Sequence, residues 1–304
     1  MNRFELTILG CGSATPTNKR NASAQLLNVA ERFFLIDCGE GTQIQLRKFK
    51  CNFRKLDRIL ISHLHGDHYF GLIGLLQSFH LLGRKKKLTI YAPAPLKDVI
   101  ELQNKVSETY LNYHIEYVDL DPKKATLIFE DEKVEVSSFP LDHRIDCTGF
   151  LFREKKLPRN IIKEKLLKKN ISVAEIHKLK LGFDALDEDG NPVKNSELTT
   201  DPPTPRSYAY CSDTRYNERI IEFINGVDLL YHESTFLNDM QERAVKTRHS
   251  TAQEAATIAK KAAVKKLLLG HFSSRYEDET EFLKEAVPVF ENTLLASEGV
   301  IFSV

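Results

Sequence analysis

The stretch Ile61-Ser62-His63-Leu64-His65-Gly66-Asp67-His68-Tyr69-Phe70-Gly71 holds three histidines and one aspartate within six positions. It follows the apolar run 58–61, which is typical of a buried strand. Imidazole and carboxylate are ligands that suit zinc and related ions. The H-x-H-x-D-H spacing lets His63 and His65 bind one ion while Asp67 and His68 bind another. A single histidine is more often a packing residue, but four such residues together predict a metal site.

The composition is that of an ordinary globular protein. Of 304 residues, 42% are apolar and 28% are charged, so the chain can bury a large core. The sequence has no apolar run of about eighteen residues and does not begin like a signal peptide, so we predict a cytoplasmic location. The five cysteines stand singly with no C-x-x-C pair, which indicates neither a disulfide framework nor a cysteine-rich zinc site.

Charge is unevenly distributed along the chain. The formal net charge is +1, yet residues 153–180 hold ten Lys or Arg against three Glu, a local balance of +7. The rest of the chain is therefore about six units negative. A basic segment on an acidic body is a candidate binding surface for a polyanion. The alternative is an amphipathic helix whose lysines only face solvent.

Strand-like runs alternate with helix-like segments in both halves of the chain. Residues 33–37 and 88–92 have the composition of strands, and residues 251–263 have that of a helix. The pattern predicts the α/β (α+β) class, with two sheets covered by helices in a four-layer αββα sandwich that forms one domain over residues 1–304. Core-like periodicity stops at 153–205, where lysines, acidic turns and prolines follow one another. We predict that this segment is a helical arm on loops, inserted into the domain.

Three more residues could complete the metal shells: His143, Asp213 and His271. Each follows a strand-like run, which is where a site assembled by loops at the end of a sheet takes its residues. Each of them taken alone is more often structural. Together with the four residues of the opening stretch, they supply ligands for two ions.

Short motifs spread over nearly the whole chain carry a resemblance to a known family. They are Leu9-Gly10-Cys11-Gly12-Ser13, Arg20-Asn21, Ser62-His63-Leu64-His65-Gly66-Asp67-His68 with Gly71-Leu72, His143, Cys211-Ser212-Asp213-Thr214, His232-Glu233-Ser234-Thr235-Phe236, His249-Ser250-Thr251 and Gly270-His271-Phe272. With these motifs the chain resembles ribonuclease Z, the tRNA 3′-processing endonuclease family of the metallo-β-lactamase superfamily. The H-x-H-x-D-H motif alone indicates only the superfamily, and the late motifs, with the arm after His143, narrow it to the family.

The resemblance implies two Zn²⁺ per subunit, held by two ligand sets that share one bridging residue. The sets are His63, His65 and His143 for one ion, Asp67, His68 and His271 for the other, and Asp213 between them. Asp67 would also accept a proton from the attacking water. Glu233 would orient His249, which would protonate the leaving oxygen. The alternative for that pair is a helix-capping Glu233 and a His249 in a solvated loop.

The resemblance also implies a function and partners. The function is a zinc-dependent endoribonuclease that removes the 3′ trailer from precursor tRNA and leaves a 3′-hydroxyl on the tRNA. The arm would bind the tRNA through backbone phosphates, which give affinity without reading sequence, and the subunit would form a homodimer. Segment 157–163 lacks the Gly-Pro element of many members. Two other functions stay open. The first is a hydrolase of a small phosphodiester or thioester, which would leave the arm without a function. The second is a metal-free RNA-binding scaffold, which would leave the intact ligand set without a function.

Overall fold

The computed structural model describes residues 3–304. Within that range the strands are β1 (Phe4–Gly10), β2 (Gly12–Ser13), β3 (Ala24–Val29), β4 (Arg32–Ile36), β5 (Leu56–Leu60), β6 (Leu88–Ala92), β7 (Ile115–Asp119), β8 (Thr126–Glu130), β9 (Val134–Leu141), β10 (Cys147–Glu154), β11 (Asn160–Ile161), β12 (Ala185–Leu186), β13 (Pro192–Val193), β14 (Thr199–Thr200), β15 (Ser207–Cys211), β16 (Leu229–Glu233), β17 (Leu267–Gly270), β18 (Phe272–Ser273), β19 (Thr293–Leu295) and β20 (Ile301–Ser303). The helices are α1 (Thr42–Lys48), α2 (Gly66–Leu81), α3 (Pro95–Val106), α4 (Lys163–Leu167), α5 (Val173–Leu181), α6 (Asn195–Leu198), α7 (Ile221–Ile224), α8 (Gln241–Thr247), α9 (Ala252–Lys261) and α10 (Thr280–Ala286). Single 3₁₀ turns lie at Phe53–Lys55, Glu218–Ile220 and Asn238–Met240.

Most strands belong to two sheets of seven strands each. The first sheet has the order β20-β1-β3-β4-β5-β6-β7, and the second has the order β19-β17-β16-β15-β10-β9-β8. Strands β4 to β7 are parallel in the first sheet, and β15, β16, β17 and β19 are parallel in the second. Parallel strands end at the same edge of their sheet, so loops that follow them are brought close together.

The two sheets pack face to face, and helices cover their outer faces. Phe34 of β4 and Phe152 of β10 are fully buried, and their ring centroids lie 5.2 Å apart in an edge-to-face contact between the sheets. A second buried cluster joins the first sheet to helices α1, α2 and α3. Helices α9 and α10 pack against strands of the second sheet. Each fully buried large apolar side chain stabilises this arrangement by about 2 kcal/mol, and the prediction of an αββα sandwich is confirmed.

The sequence of helix α9 explains where the helix begins and how closely it packs on the sheet. Thr251 and Glu254 form a capping box, in which Thr251 Oγ1 accepts from the Glu254 amide and Glu254 Oε2 accepts from the Thr251 amide. Such a cap is worth about 1 kcal/mol. Ala252, Ala255, Ala256 and Ala259 are fully buried at helical spacing, which lets the helix lie close to the sheet. Within residues 3–304, none of the helices combines the length and the apolar composition that a membrane crossing requires.

Residues 154–205 form one compact unit. The described residues 3–153 and residues 206–304 together form a second compact unit, the body. We call the unit of residues 154–205 the arm. It contains α4, α5 and α6, the ribbon β11–β14 and the ribbon β12–β13. Its small core consists of buried apolar side chains: Ile171, Leu179, Ala185, Val193 and Leu198. The arm is therefore more structured than helices on loops, and its boundary lies one residue from the predicted one.

Candidate metal centre

The predicted metal ligands follow strands of both sheets. The structure brings all seven together: His63, His65, Asp67, His68, His143, Asp213 and His271. Helix α2 begins at Gly66, so two of them lie in the extended segment after β5 and two lie in the first turn of the helix. His143 comes two residues after β9, Asp213 comes two residues after β15, and His271 comes directly after β17.

Asp213 and His271 share an unusual backbone conformation. Their φ angles are 58° and 60°, in the left-handed region that costs most residues about 1 kcal/mol or more. Asp, Asn and His are the non-glycine residues that adopt it most readily. The conformation turns the chain sharply where each strand ends. Strained backbone of this kind tends to occur at functional sites.

Four of the predicted ligands form one group. His65 Nδ1 lies 3.0 Å from His63 Nε2 and 3.1 Å from His143 Nε2. Asp213 Oδ2 lies 3.5 Å from His63 Nε2 and 3.6 Å from His143 Nε2. These four ligand atoms all lie within 4.8 Å of one another. Three imidazole nitrogens and one carboxylate oxygen are a donor set that suits zinc.

The other predicted ligands form a second group beside the first. Asp67 Oδ2 lies 3.5 Å from His68 Nε2 and 3.6 Å from His271 Nε2. Asp213 Oδ1 lies 3.2 Å from His68 Nε2 and 3.1 Å from His271 Nε2. One oxygen of Asp213 therefore faces each group. The arrangement has the form of two adjoining ion sites that share one carboxylate.

Hydrogen bonds fix which nitrogen of these imidazoles is free to bind a metal ion. His68 Nδ1 donates to Asp37 Oδ2 at 2.7 Å, and His143 Nδ1 donates to the Arg248 carbonyl at 3.0 Å. His271 Nδ1 lies 2.8 Å from Thr235 Oγ1. A proton on Nδ1 leaves a lone pair on Nε2. The Nε2 atoms of His68 and His271 are buried and make no hydrogen bond among the described residues, although each lies near Asp213. Buried polar atoms without hydrogen bonds are rare, and a metal ion fits these two.

The ionisation of three residues of the cluster, His63, His143 and Asp213, fits a metal site. Burial lowers the pKa of His63 and of His143, so both imidazoles are neutral near pH 7. Burial alone would raise the pKa of Asp213, but His271 and the other imidazoles around it lower that pKa well below its usual value. Neutral imidazole and ionised carboxylate are the forms that bind metal ions.

Glu233 and His249 form an ion pair next to the second group. His249 Nδ1 lies 2.7 Å from Glu233 Oε1, and the rings of His249 and His271 are stacked with centroids 5.5 Å apart. Burial alone would lower the pKa of His249, but the Glu233 carboxylate raises it to about 9. Glu233 is the last residue of β16 and caps no helix among the described residues. It also accepts hydrogen bonds from the Thr214 amide and the Thr235 hydroxyl, so its position is fixed.

The two groups open into a cavity of about 390 Å³, lined in part by His65, Asp67 and His249. Asp67 Oδ2 accepts a hydrogen bond of 2.8 Å from the Ala14 amide. Ala14 directly follows β2, which pairs with β18 next to His271. The segment after β2 therefore helps to hold Asp67 in place.

Known proteins resemble this chain over its whole length. Residues 4–158 match the model of the family described as Anti-Pycsar protein Apyc1, which places that part of the chain in this sequence family. The ribonuclease Z of Phocaeicola vulgatus is 47% identical, with 100% of this chain and 98% of that protein aligned. The ribonuclease Z of Cytophaga hutchinsonii is 48% identical, with 99% and 96% aligned. The chain belongs to the ribonuclease Z family.

Solved structures share the fold of this chain. The short form of human tRNase Z has a TM-score of 0.71 at 28% identity, with 99% of each chain covered. YhfI of Bacillus subtilis, described as a metallo-β-lactamase fold protein, has a TM-score of 0.71 at 22% identity, with 100% of each chain covered. The predicted metallo-β-lactamase sandwich and the predicted ribonuclease Z enzyme are therefore both confirmed.

Asp37 is a further residue of the candidate metal centre, and it was not predicted from the sequence. It directly follows β4 and is fully buried, with a φ of 55°. Besides holding His68, its carboxylate accepts from the Ser62 amide at 2.7 Å and from the Tyr210 hydroxyl at 2.6 Å. The signal was present in the sequence, since an acidic residue ends the apolar run 33–37. His143, Asp213 and His271 were predicted from the same pattern, a polar residue that follows a strand-like run.

We expect Asp37→Asn to weaken metal binding about ten- to a hundred-fold, because asparagine has a single acceptor oxygen and can no longer hold both the Ser62 amide and the ring of His68. Metal affinity is measured by competition with a chromogenic chelator. Asp119→Asn is the matched control, since Asp119 is an exposed aspartate at the end of β7 in the same sheet. A metal affinity for Asp37→Asn equal to that of the control would contradict a supporting role for Asp37.

Proposed function

We propose that the chain is a zinc-dependent endoribonuclease that removes the 3′ trailer from precursor tRNA and leaves a 3′-hydroxyl on the tRNA. The observation that carries the proposal is the pair of ligand groups joined by Asp213. Relatives at 47% and 48% identity are named ribonuclease Z, and human tRNase Z shares the fold. The test combines elemental analysis of the purified protein with cleavage of a precursor tRNA of defined trailer. A protein without metal, or one that leaves the precursor intact, would reject the proposal.

The two ligand groups would each hold one zinc ion. His63, His65 and His143 would bind the first, and the second would take Asp67, His68 and His271, with Asp213 shared. A pair of ions at such a site lowers the pKa of water and neutralises charge on a phosphodiester. Their removal with a strong chelator is expected to abolish cleavage, and added Zn²⁺ is expected to restore it.

The reaction needs a proton acceptor and a proton donor. Water attacks the phosphorus, and Asp67, held by the Ala14 amide, accepts its proton. The bond between phosphorus and the 3′-oxygen then breaks. Since the tRNA product carries the 3′-hydroxyl, the leaving group is the 3′-oxygen of the tRNA, and the trailer keeps the phosphate. His249, oriented by Glu233, gives its proton to that leaving oxygen.

We expect His249→Ala to slow cleavage of precursor tRNA about a hundred-fold or more, because a sugar alkoxide is a poor leaving group without a proton. Hydrolysis of bis(p-nitrophenyl) phosphate should change little, since nitrophenolate leaves without protonation. The comparison of kcat on the two substrates is the measurement. His114→Ala, at an exposed histidine, serves as the control. Equal losses on both substrates would remove His249 from the role of proton donor.

The arm would bind the tRNA by its phosphates. Lys163, Lys165, Lys168 and Lys169 are exposed on α4 and in the turn after it. Arg159 is less available, because it is paired with acceptors of the arm itself. Exposed lysines make salt-dependent contacts to phosphate that do not depend on sequence. Segment 157–163 has no Gly-Pro element that could contact the tRNA, so the exposed lysines would make the contact with its phosphates.

We propose that two chains form a homodimer through an apolar stripe on α2 and α3. Val99, Leu102 and Val106 are exposed at helical spacing on α3, and Leu81 is exposed at the end of α2. Exposed apolar stripes of this kind favour association. Light scattering should give a mass of two chains for the parent and of one for Leu102→Glu. A monomeric parent would reject this part of the proposal.

A further inference from the structure

Phe70 presents an aromatic ring to solvent at the metal cavity. Its side chain is 63% exposed, and it lines the cavity together with His65 and Asp67. Side chains on a helix lean toward its N-terminus, and the ring of Phe70 lies back over Gly66. A Cβ on residue 66 would come within 2.2 Å of Phe70 Cε2. Gly66, which has no side chain, therefore makes room for this ring.

Arg144 lies where this cavity adjoins a second one. It directly follows His143, is exposed, and lines both the metal cavity and a larger cavity of about 690 Å³. The larger cavity is also lined by four basic side chains, Lys123, Lys124, Arg219 and Arg248, and by three acidic ones, Asp142, Asp146 and Glu222. With Arg144, the formal charges that line the larger cavity sum to +2, whereas the metal cavity is lined by Glu40, Asp67 and Asp213 against Arg144 alone. A phosphate is therefore favoured on the side of Arg144.

We propose that Phe70 and Arg144 form a nucleotide subsite beside the metal centre. Phe70 stacks on a base next to the phosphate that is cleaved, and Arg144 binds the next phosphate of the strand at the entrance to the basic cavity. The proposal rests on the proposed function, since it requires an RNA strand at the metal centre. An exposed aromatic ring stacks on any base, and a stacked base is worth about 1 to 3 kcal/mol. An arginine binds phosphate with paired, charge-assisted hydrogen bonds. The subsite thus favours a polynucleotide over a small phosphodiester.

The test compares enzyme variants on matched substrates. Phe70→Ala should raise KM for a precursor tRNA about ten-fold or more, whereas Phe70→Tyr, which keeps the ring, should stay close to the parent. Arg144→Gln should raise KM and reduce the salt dependence of binding by about one phosphate contact, and Arg144→Lys should restore that dependence. Leu127→Ala and Arg54→Gln are controls, at an exposed apolar and an exposed basic residue outside both cavities. Elemental analysis should find the same metal content in the Phe70 variants as in the parent.

Precursors with an abasic site locate the stacked base. One precursor lacks the last base of the tRNA, and the other lacks the first base of the trailer. On one of the two, the parent and Phe70→Ala should have the same KM, because the base that Phe70 contacts is missing. The subsite is rejected if Phe70→Ala has the KM of the parent on the complete precursor, or if its KM rises by the same factor on both abasic precursors. It is also rejected if Phe70→Ala changes the mass of the protein in solution. A parent that cleaves no precursor overturns the proposed function as well, so the two failures are distinct.

Discussion

Asp213→Asn should bind at most one metal ion and should lose about a thousand-fold in activity on every phosphodiester. One oxygen of Asp213 faces His63 and His143, and the other faces His68 and His271. Asparagine replaces one of these oxygens with an amino group, which cannot bind a metal ion. Several kcal/mol of stabilisation of the reacting phosphate is then lost, and each 1.4 kcal/mol is about ten-fold in rate.

Asparagine is the right substitution because it tolerates the left-handed backbone that Asp213 adopts. An alanine there would add backbone strain to the loss of a ligand. Metal content is measured by elemental analysis, and circular dichroism shows whether the fold is kept. Asp146→Asn, at an exposed aspartate near the site, is the control. A folded Asp213→Asn enzyme with two ions per chain would refute the shared position of this carboxylate.

Excision of the arm should separate cleavage of tRNA from the chemistry of the metal centre. Arg153 and Ser207 are register partners on β10 and β15, so a short Gly-Ser linker from Arg153 to Arg206 closes an ordinary hairpin. The arm has its own core, which the excision removes as a whole. Loss of several lysine–phosphate contacts is worth about 3 kcal/mol, so cleavage of precursor tRNA should fall about a hundred-fold or more. Hydrolysis of bis(p-nitrophenyl) phosphate should persist.

A variant that keeps the arm provides a second measurement. Lys168→Gln with Lys169→Gln should raise KM for precursor tRNA and flatten its salt dependence. The matched control neutralises two exposed lysines of the body, Lys50 and Lys85. Equal losses on tRNA and on the small phosphodiester after excision would count against the arm as the tRNA-binding element.

The sequence predicted which residues cluster at the candidate metal centre, because metal-binding chemistry restricts the residue type and the place after a strand restricts the position. It missed contacts that carry no such signal. The Ala14 amide that holds Asp67 is a backbone group, and no residue type marks it. The core of the arm was missed because its apolar residues, such as Leu179 and Val193, stand singly among polar neighbours.

The left-handed bends at Asp213 and His271 limit how this gene can change over generations. At position 143 the chain is not bent in this way, so the backbone conformation restricts the residue type less strongly there. At 213 and 271 the backbone itself admits few replacements, mainly Asn, Asp, His and Gly. In a descendant that no longer needed the proposed ions, residue 143 would therefore be replaced more readily than residues 213 and 271. Positions 213 and 271 would keep a narrow set of residue types.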